Sequence, residues 1–468
     1  MVDKSARYAS LSTTARAIVV AVLLVFVAAY AGLFAYAMQR TTYEVWGVLL
    51  LAPALIAVSV PILLRLGRDE PDSFIQKLFI GALVLKILAS IPRYYMVTEM
   101  YGTGDSLRYA GTAALLRVDF LEFDFSLAPL GSESRTGTQF VEIVTGIVYT
   151  ITGPSMMGGF VFFSWLSFWG LCFFYRAFRV GVPDGDARRY AVLLFFLPSM
   201  LFWPSSIGKE AWMTLVLGIA TYGAALLLAR RRGASVYLAL GLAGVLMVRP
   251  HMALLTIAGL ALGYAIRGSG AQRVVALGRT RTLIGLAVIG AFTLLATRRV
   301  AAFFGVDEFN LDTATETLEY AERQTTGGGS EYAGGGPSFK NLPMNIVTVL
   351  FRPFPFEVSN IQSLLAALEG VTLIVLFILA LPRLRTVPKR LRKQPYITYC
   401  ITYSLLFCFM FSAFQNFGIL ARQRVLVFPL VLVLLALPLG SSSGLKRTRR
   451  SATPKSSSIT SYAVATRQ

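Results

Sequence analysis

A single histidine, His251, and three cysteines, Cys172, Cys400 and Cys408, are all that the 468-residue chain offers for soft-metal or thiol chemistry. One histidine rules out a His-rich metal site and leaves a Ser-His-Asp triad a single candidate base. The cysteines fall inside apolar runs without CxxC spacing, so they read as packing residues and not as a disulfide framework. Charge is scarce too: charged residues make up 15% of the chain, against roughly 25% in soluble globular domains. Acidic residues are the scarcer sign, 24 against 44 Lys and Arg, for a formal net charge of +20. The one long glycine-rich run, Gly327 to Gly336, is not followed by Gly-Lys-Ser/Thr and is therefore no phosphate-binding P-loop.

What the chain has in quantity is hydrophobic sequence. Apolar residues are 55% of the total, and the mean hydropathy is +0.63. Apolar runs near the ~20 residues needed to cross a bilayer recur along the chain, separated by charged or Gly/Pro-containing breaks. The pattern predicts an all-α polytopic membrane protein with about 12 transmembrane helices, at approximately 17–38, 45–64, 76–97, 156–175, 190–204, 210–229, 235–248, 252–266, 282–297, 361–382, 396–414 and 425–440. The runs near 190, 235 and 252 are short enough to be tilted pairs or half-membrane hairpins. The first run follows a polar stretch without a small-residue cleavage site and reads as a retained anchor. A single membrane domain then covers 1–440, and the Ser/Thr/Arg-rich segment 441–468 is expected to be a disordered basic tail.

Alternating twelve spans puts most basic residues on one side and most acidic ones on the other or in the membrane. The positive-inside bias assigns the basic side, with both termini, to the cytoplasm. That split accounts for the net charge without nucleic acid. It also leaves two long extracytoplasmic loops, 98–153 and 298–360.

The first loop carries Tyr101-Gly-Thr-Gly-Asp105-Ser-Leu-Arg108-Tyr109. A helix from Asp105 to about Leu116 would put Arg108 and Tyr109 on the face of Asp105. The glycines would let backbone approach a ligand closely. Asp105 could serve as a general base toward an acceptor hydroxyl or hold a divalent cation; equally, it has the sequence of a helix N-cap. Downstream, Asp119, Glu122 and Asp124 alternate with Phe120, Leu121, Phe123 and Phe125, as in a segment lying in the interface. Phe140 to Ile151 is apolar but short and reads as re-entrant or interfacial. The second loop has an acidic, helix-compatible part, Asp307 to Arg323, then the glycine-rich connector, then Leu350-Phe-Arg352-Pro-Phe-Pro-Phe-Glu357.

The predicted topology brings Arg93, Lys209, Arg249, His251, Arg352, Arg422 and Arg424 to the outer ends of spans, where basic residues are normally depleted. Basic groups kept there need a partner or a task. Arginine forks bind phosphate oxygens bidentately, so together these residues could hold an anionic lipid-linked headgroup; otherwise they snorkel or pair with Glu210, Glu357 or Glu99. The mid-chain turn Phe202-Trp203-Pro-Ser-Ser-Ile-Gly-Lys209-Glu210 adds aromatic rings and hydroxyls of the kind that hold sugars.

On those residues the chain resembles the GT-C type of polytopic glycosyltransferases, and within it the exopolysaccharide and O-antigen polymerase-like proteins. The resemblance rests on Gly104-Asp105-Ser106 with Tyr109, on the Phe202 to Glu210 turn, on Arg352-Pro-Phe-Pro-Phe-Glu357, and on Asn416-Phe-Gly-Ile-Leu-Ala-Arg422-Gln-Arg424. It implies transfer of a sugar from a polyprenyl-phosphate or polyprenyl-diphosphate donor at the extracytoplasmic face. The acceptor would be a saccharide or growing polymer and the surroundings membrane lipids. The acidic residue of the first loop, here Asp105, would stand near the reacting atoms, with Arg422 and Arg424 on the phosphates. The Asp-x-Asp or Glu-x-Asp pair of some relatives is absent at Asp105, so the resemblance implies no particular metal cofactor. A transporter or flippase of a lipid-linked saccharide is the rival reading, and a polysaccharide ligase shares the same pocket chemistry. Transporters usually show repeat symmetry and polar groups at mid-membrane, whereas the charges here are expected at the outer ends.

Overall fold

The computed structural model describes residues 13–131, 135–267, 276–304 and 338–439. Among these residues the chain is helical, with no strand. The expected helix from Asp307 to Arg323, the Gly327 to Gly336 connector and the tail 441–468 lie outside the described residues.

Among the described residues, seven helices are long and apolar enough to cross a membrane. They lie in α1 (Thr13–Arg40), α2 (Tyr43–Arg68), the run α3 (Ser73–Leu88), α4 (Ser90–Tyr95) and a π-helical turn Met96–Tyr101, then α7 (Met156–Gly181), α10 (Lys209–Leu228), α13 (Ala276–Phe304) and α14 (Ile361–Leu379). The remaining expected spans depart from a plain crossing. The run near 190 is two short helices, α8 (Ala187–Phe196) and α9 (Pro198–Phe202). Pro198 fits only as the first residue of a new helix, and Leu197 before it is extended, as a residue preceding proline prefers. Helices α11 (Ala234–Val248), α12 (Pro250–Ile266) and α15 (Pro395–Phe411) are apolar but shorter. The last is broken: Phe417–Leu426 meets Phe428–Leu435 at 66°. Its first part begins with α16 (Phe417–Gln423) and its second is α17 (Phe428–Leu435).

Small residues let the central helices touch backbone to backbone. A Cβ on Gly170 of α7 would collide with the Thr214 carbonyl of α10, and one on Gly218 of α10 with the Gly170 carbonyl. Across the other face of α10, Gly241 of α11 abuts the backbone of Ala220. Lipid tails are as apolar as leucine, so close packing of this kind replaces the hydrophobic effect in holding membrane helices together. Helix α10 is accordingly the most enclosed of the candidate spans, while the apolar surface of α1 is almost wholly exposed.

The first long loop folds as two helices packed on each other, α5 (Asp105–Leu121) and α6 (Thr138–Thr152). Ser106, Tyr109, Ala113, Leu116 and Phe120 form the buried stripe of α5 at helical spacing. At its end Phe123 and Phe125 are exposed, and Phe125 stacks on Phe120 with ring centroids 5.6 Å apart.

The bundle has two chemically different ends. At one, Arg179 pairs with Glu70 at 3.1 Å, Arg390 with Asp184 at 2.6 Å, and the Asp186 amide donates to the Ala436 carbonyl at 2.8 Å. About twenty residues of helix separate Ser73 from Arg93, which puts Arg93 about 30 Å away at the other end. There the α5–α6 pair, the turn before α10, the α11–α12 junction and α16 come together.

Because Gly218 is closed by backbone and Gly290 has no atom within 4 Å, alanine should act oppositely at the two sites. Gly218→Ala is expected to lower the thermal midpoint of the detergent-purified protein, at an overpacking cost of about 1–3 kcal/mol. Gly290→Ala should leave it unchanged or raise it, since alanine is the better helix former.

Candidate functional site

A cavity of ≈ 70 Å³ opens at this second end, lined by Arg93, Asp105, Ser106, Tyr109, Ser206, Ile207, Gly208, Lys209, Glu210, Arg249 and Arg422. One water needs ~10–15 Å³ on such a scale, so the space suits several waters or one small oxyanion.

Two glycine-initiated helices supply much of the wall. Helix α5 starts after Gly104, whose φ of 131° few residues other than glycine adopt. A Cβ there would meet nothing within 4 Å, so backbone conformation requires this glycine, and steric closeness within the chain does not. Gly104 holds the N-cap position, and Asp105 is the first helical residue. The N-cap reading of Asp105 is thereby corrected: its carboxylate lies 3.6 Å from the Arg422 guanidinium and its side chain is 52% exposed at the cavity mouth. One residue on, Ser106 Oγ donates to the Ile207 carbonyl at 2.7 Å, fastening the first loop to the turn that begins α10.

Buried polar groups hold that turn from below. Lys86 Nζ donates to the carbonyls of Met200 (2.6 Å) and Leu201 (3.1 Å), which end the short α9. Ser167 Oγ donates to the Pro204 carbonyl at 2.9 Å, and the hydroxyls of Ser164 and Ser205 lie 3.0 Å apart. An ammonium on the carbonyl end of a helix is electrostatically matched.

Glu210, 6% exposed, is the hub of the charged groups. Its Oε1 accepts from Arg249 Nη2 at 2.9 Å and Gln423 Nε2 at 3.4 Å, and lies 3.3 Å from Arg422 Nε. The other branch of Arg249 donates to Gln423 Oε1. Arg422 thus stands between Asp105 and Glu210. Tyr109, one turn beyond Asp105, is buried; burial and the nearby carboxylates Asp105 and Glu210 push its hydroxyl up to about 12, so it remains a hydrogen-bond donor at neutral pH.

Of the candidates named from sequence, Arg93, Asp105, Tyr109, Lys209, Glu210, Arg249 and Arg422 line the cavity. Five do not. Arg108 projects outward, 3.6 Å from Glu142, whose carboxyl is raised by burial against the opposing pull of Arg108. His251 sits in the first turn of α12 behind Arg249. Arg352 forms a two-pronged pair with Glu357 and covers the Phe417 ring at 5.1 Å. Arg424, fully buried, donates to the Arg352 carbonyl at 2.9 Å and lies 3.8 Å from Glu369. Glu369 in turn takes hydrogen bonds from the amide and hydroxyl of Ser199. Arg424 is therefore a strut of the broken span and, unlike Arg422, is not part of the cavity lining.

Gln423, Lys86 and Glu369 were not singled out from sequence. The signal for the last two was a lone charge within an apolar run, which demands a specific partner. Gln423 carries no such signal. Among the described residues no group of three or more His, Cys, Asp and Glu side chains is placed to share a metal ion. No protein-family profile, characterised protein or solved structure matches the chain, so the functional reading rests on the chemistry of this cavity.

Glu210 and Asp105 should differ sharply in stability. Glu210→Ala strands the buried Arg249 and leaves Arg422 only Asp105, and is expected to cost about 3–5 kcal/mol. Asp105→Asn, at a half-exposed pair, should cost less than about 1 kcal/mol; thermal denaturation of both variants checks the contrast. At Glu357, burial raises the carboxyl, but the Arg352 guanidinium and the Phe354 amide outweigh it and hold the group below its usual 4.5. A lowered carboxylate contributes stability above its unfolded value that is lost as pH falls through the folded one. The thermal midpoint of Glu357→Gln should therefore lie below wild type at pH 7 and converge with it under acid.

Proposed function

We propose that this multi-pass membrane protein is a glycosyltransferase of the GT-C type. In this reading it takes a sugar from a polyprenyl-phosphate or polyprenyl-diphosphate donor at the extracytoplasmic face of a bacterial plasma membrane, in cell-surface polysaccharide assembly or polymerisation. The twelve-span topology with cytoplasmic termini belongs to the same reading. The observation that carries it is the meeting of Asp105 with Arg93, Lys209, Arg249 and Arg422, drawn from distant parts of the sequence, around one cavity.

The chemistry follows from the layout. The donor phosphate would lie against the basic lining, with its sugar toward the mouth. Asp105, on the exposed rim, takes the proton of the acceptor hydroxyl as that oxygen attacks the anomeric carbon. The bond from that carbon to the phosphate oxygen breaks, and the charge left on the phosphate is stabilised by fixed cations in a largely enclosed site, where they act more strongly than in water. Tyr109, protonated at neutral pH, can donate a hydrogen bond beneath Asp105. The cavity's charges meet at one end of the bundle, and the mid-span charges Lys86 and Glu369 are taken up by backbone carbonyls and by Ser199 and Arg424, which supports an enzyme working on one face over a transporter.

Removing the base should cost roughly 10²- to 10⁴-fold in transfer rate. We expect that loss for Asp105→Asn in nanodiscs, assayed with a short-chain polyprenyl-diphosphate-linked sugar and a saccharide acceptor, while the protein stays folded. Wild-type turnover in the variant would remove Asp105 from the mechanism; absence of any glycosidic product from wild type with either phosphate class of donor would remove the enzyme reading.

A further inference from the structure

The basic residues of the cavity are not equivalent. Arg249 is committed to Glu210 and Gln423, and Arg422 to Glu210 and Asp105. Both carboxylates of the lining are thereby used. Arg93 and Lys209 are left over: among the described residues neither makes an ion pair or a side-chain hydrogen bond. Four basic side chains against two carboxylates give the lining two uncompensated positive charges, and these two residues carry them.

Arg93 is the sharper case. It is 8% exposed, its Nε has no hydrogen-bond partner, and its guanidinium lies 5.0 Å from the ring centres of both Phe202 and Trp203. Aromatic faces attract a guanidinium but satisfy none of its N–H groups. No carboxylate contacts Arg93, and Glu210, whose charge reaches it, is already held by Arg249 and Gln423; a buried cation so placed is costly for the empty protein, and its geometry makes sense with an anion present. The neighbouring wall offers further donors. Helix α10 begins at Lys209 after Gly208 with no side-chain cap, so its first turn and the Ser206 hydroxyl border the same space.

We propose that Arg93, Lys209 and the N-terminus of α10 form an oxyanion subsite for a phosphoryl group carrying about two negative charges, and that Arg249 and Arg422 act as its scaffold. The group is the phosphate end of a lipid-linked molecule, which reaches the site from the bilayer. The lipid part of this assignment rests on the glycosyl-transfer reading; the anion part does not. Since the two uncompensated charges match a dianion, a diphosphate diester or phosphate monoester is preferred over a singly charged phosphodiester.

The test is thermal protection of the full chain in nanodiscs, titrated with inorganic phosphate, pyrophosphate, farnesyl phosphate and farnesyl diphosphate, with chloride at matched ionic strength. Saturable protection is expected from the phosphates and none from chloride. Arg93→Gln and Lys209→Gln should each raise the half-maximal phosphate or pyrophosphate concentration at least tenfold, and Arg188→Gln, an exposed change at the opposite end, should not. Lys209→Gln leaves the Arg93–ring stack intact, so the anion site remains testable if Arg93→Gln is poorly recovered. Unchanged protection in the Lys209 variant, or equal protection by chloride, overturns the subsite. Farnesyl diphosphate acting at lower concentration than pyrophosphate supports the lipid source, and equal potency overturns it. The readout needs no turnover, so a subsite that binds as expected beside a protein that transfers no sugar would separate failure of the enzyme reading from failure of this one.

Discussion

Glu210 sits in a buried corner where α10 begins, and the arrangement of the cavity depends on what it holds. A carboxylate at 6% exposure persists in ionised form only if it is hydrogen-bonded and paired; here Arg249 and Gln423 donate to it and Arg422 lies 3.3 Å away as a second counter-charge. Those three come from the α11–α12 junction and from the first half of a broken span. One side chain therefore fixes how α10, α12 and α16 meet, while Ser106 fastens the first loop to the same turn. The packing beneath is equally specific. Gly170, Gly218 and Gly241 let α7, α10 and α11 approach closely enough that the polar ends of the helices fall within hydrogen-bond reach.

The ion pairing has a consequence for function. Had the two carboxylates been shared evenly over the cations, the cavity would be a salt-bridge network with little left to offer a ligand. Instead Glu210 takes up two arginines that hold the frame, and Arg93 is cushioned by Phe202 and Trp203 with no carboxylate in contact among the described residues. Asp105 remains at the rim, near Arg422 but exposed enough to meet a second substrate. Fixed positive charge inside and a carboxylate at the mouth are what the proposed displacement of a phosphate leaving group by a hydroxyl would use.

Much of this was legible in the sequence because membranes restrict the alternatives. Apolar run length indicates the helical class, and the alternation of basic loops brings Arg93, Lys209, Arg249 and Arg422 to one depth. Depth, however, does not fix direction. Arg422 and Arg424 are two residues apart, so on a helix they point to nearly opposite sides; one lines the cavity and the other is locked against Glu369 and the Arg352 carbonyl. The same limit hid Gln423 between them. Asp105 looked like a helix cap by composition, but Gly104 holds that position because its φ is closed to most other residues. The breaks at Leu197 and near Val427 were blurred for a different reason: residues flanking each break are apolar, and hydrophobicity alone does not register a bend.

The central claim is that a phosphoryl group sits inside this cavity, on cations that the protein leaves uncompensated. An electron cryomicroscopy structure of the protein in nanodiscs with a non-hydrolysable prenyl diphosphate sugar analogue tests it most directly. The account predicts phosphate density within hydrogen-bond distance of Arg93 and Lys209, with the sugar toward Asp105 and the Glu210–Arg249 pair intact. A headgroup bound elsewhere while Arg93 still faces an empty cavity would contradict it.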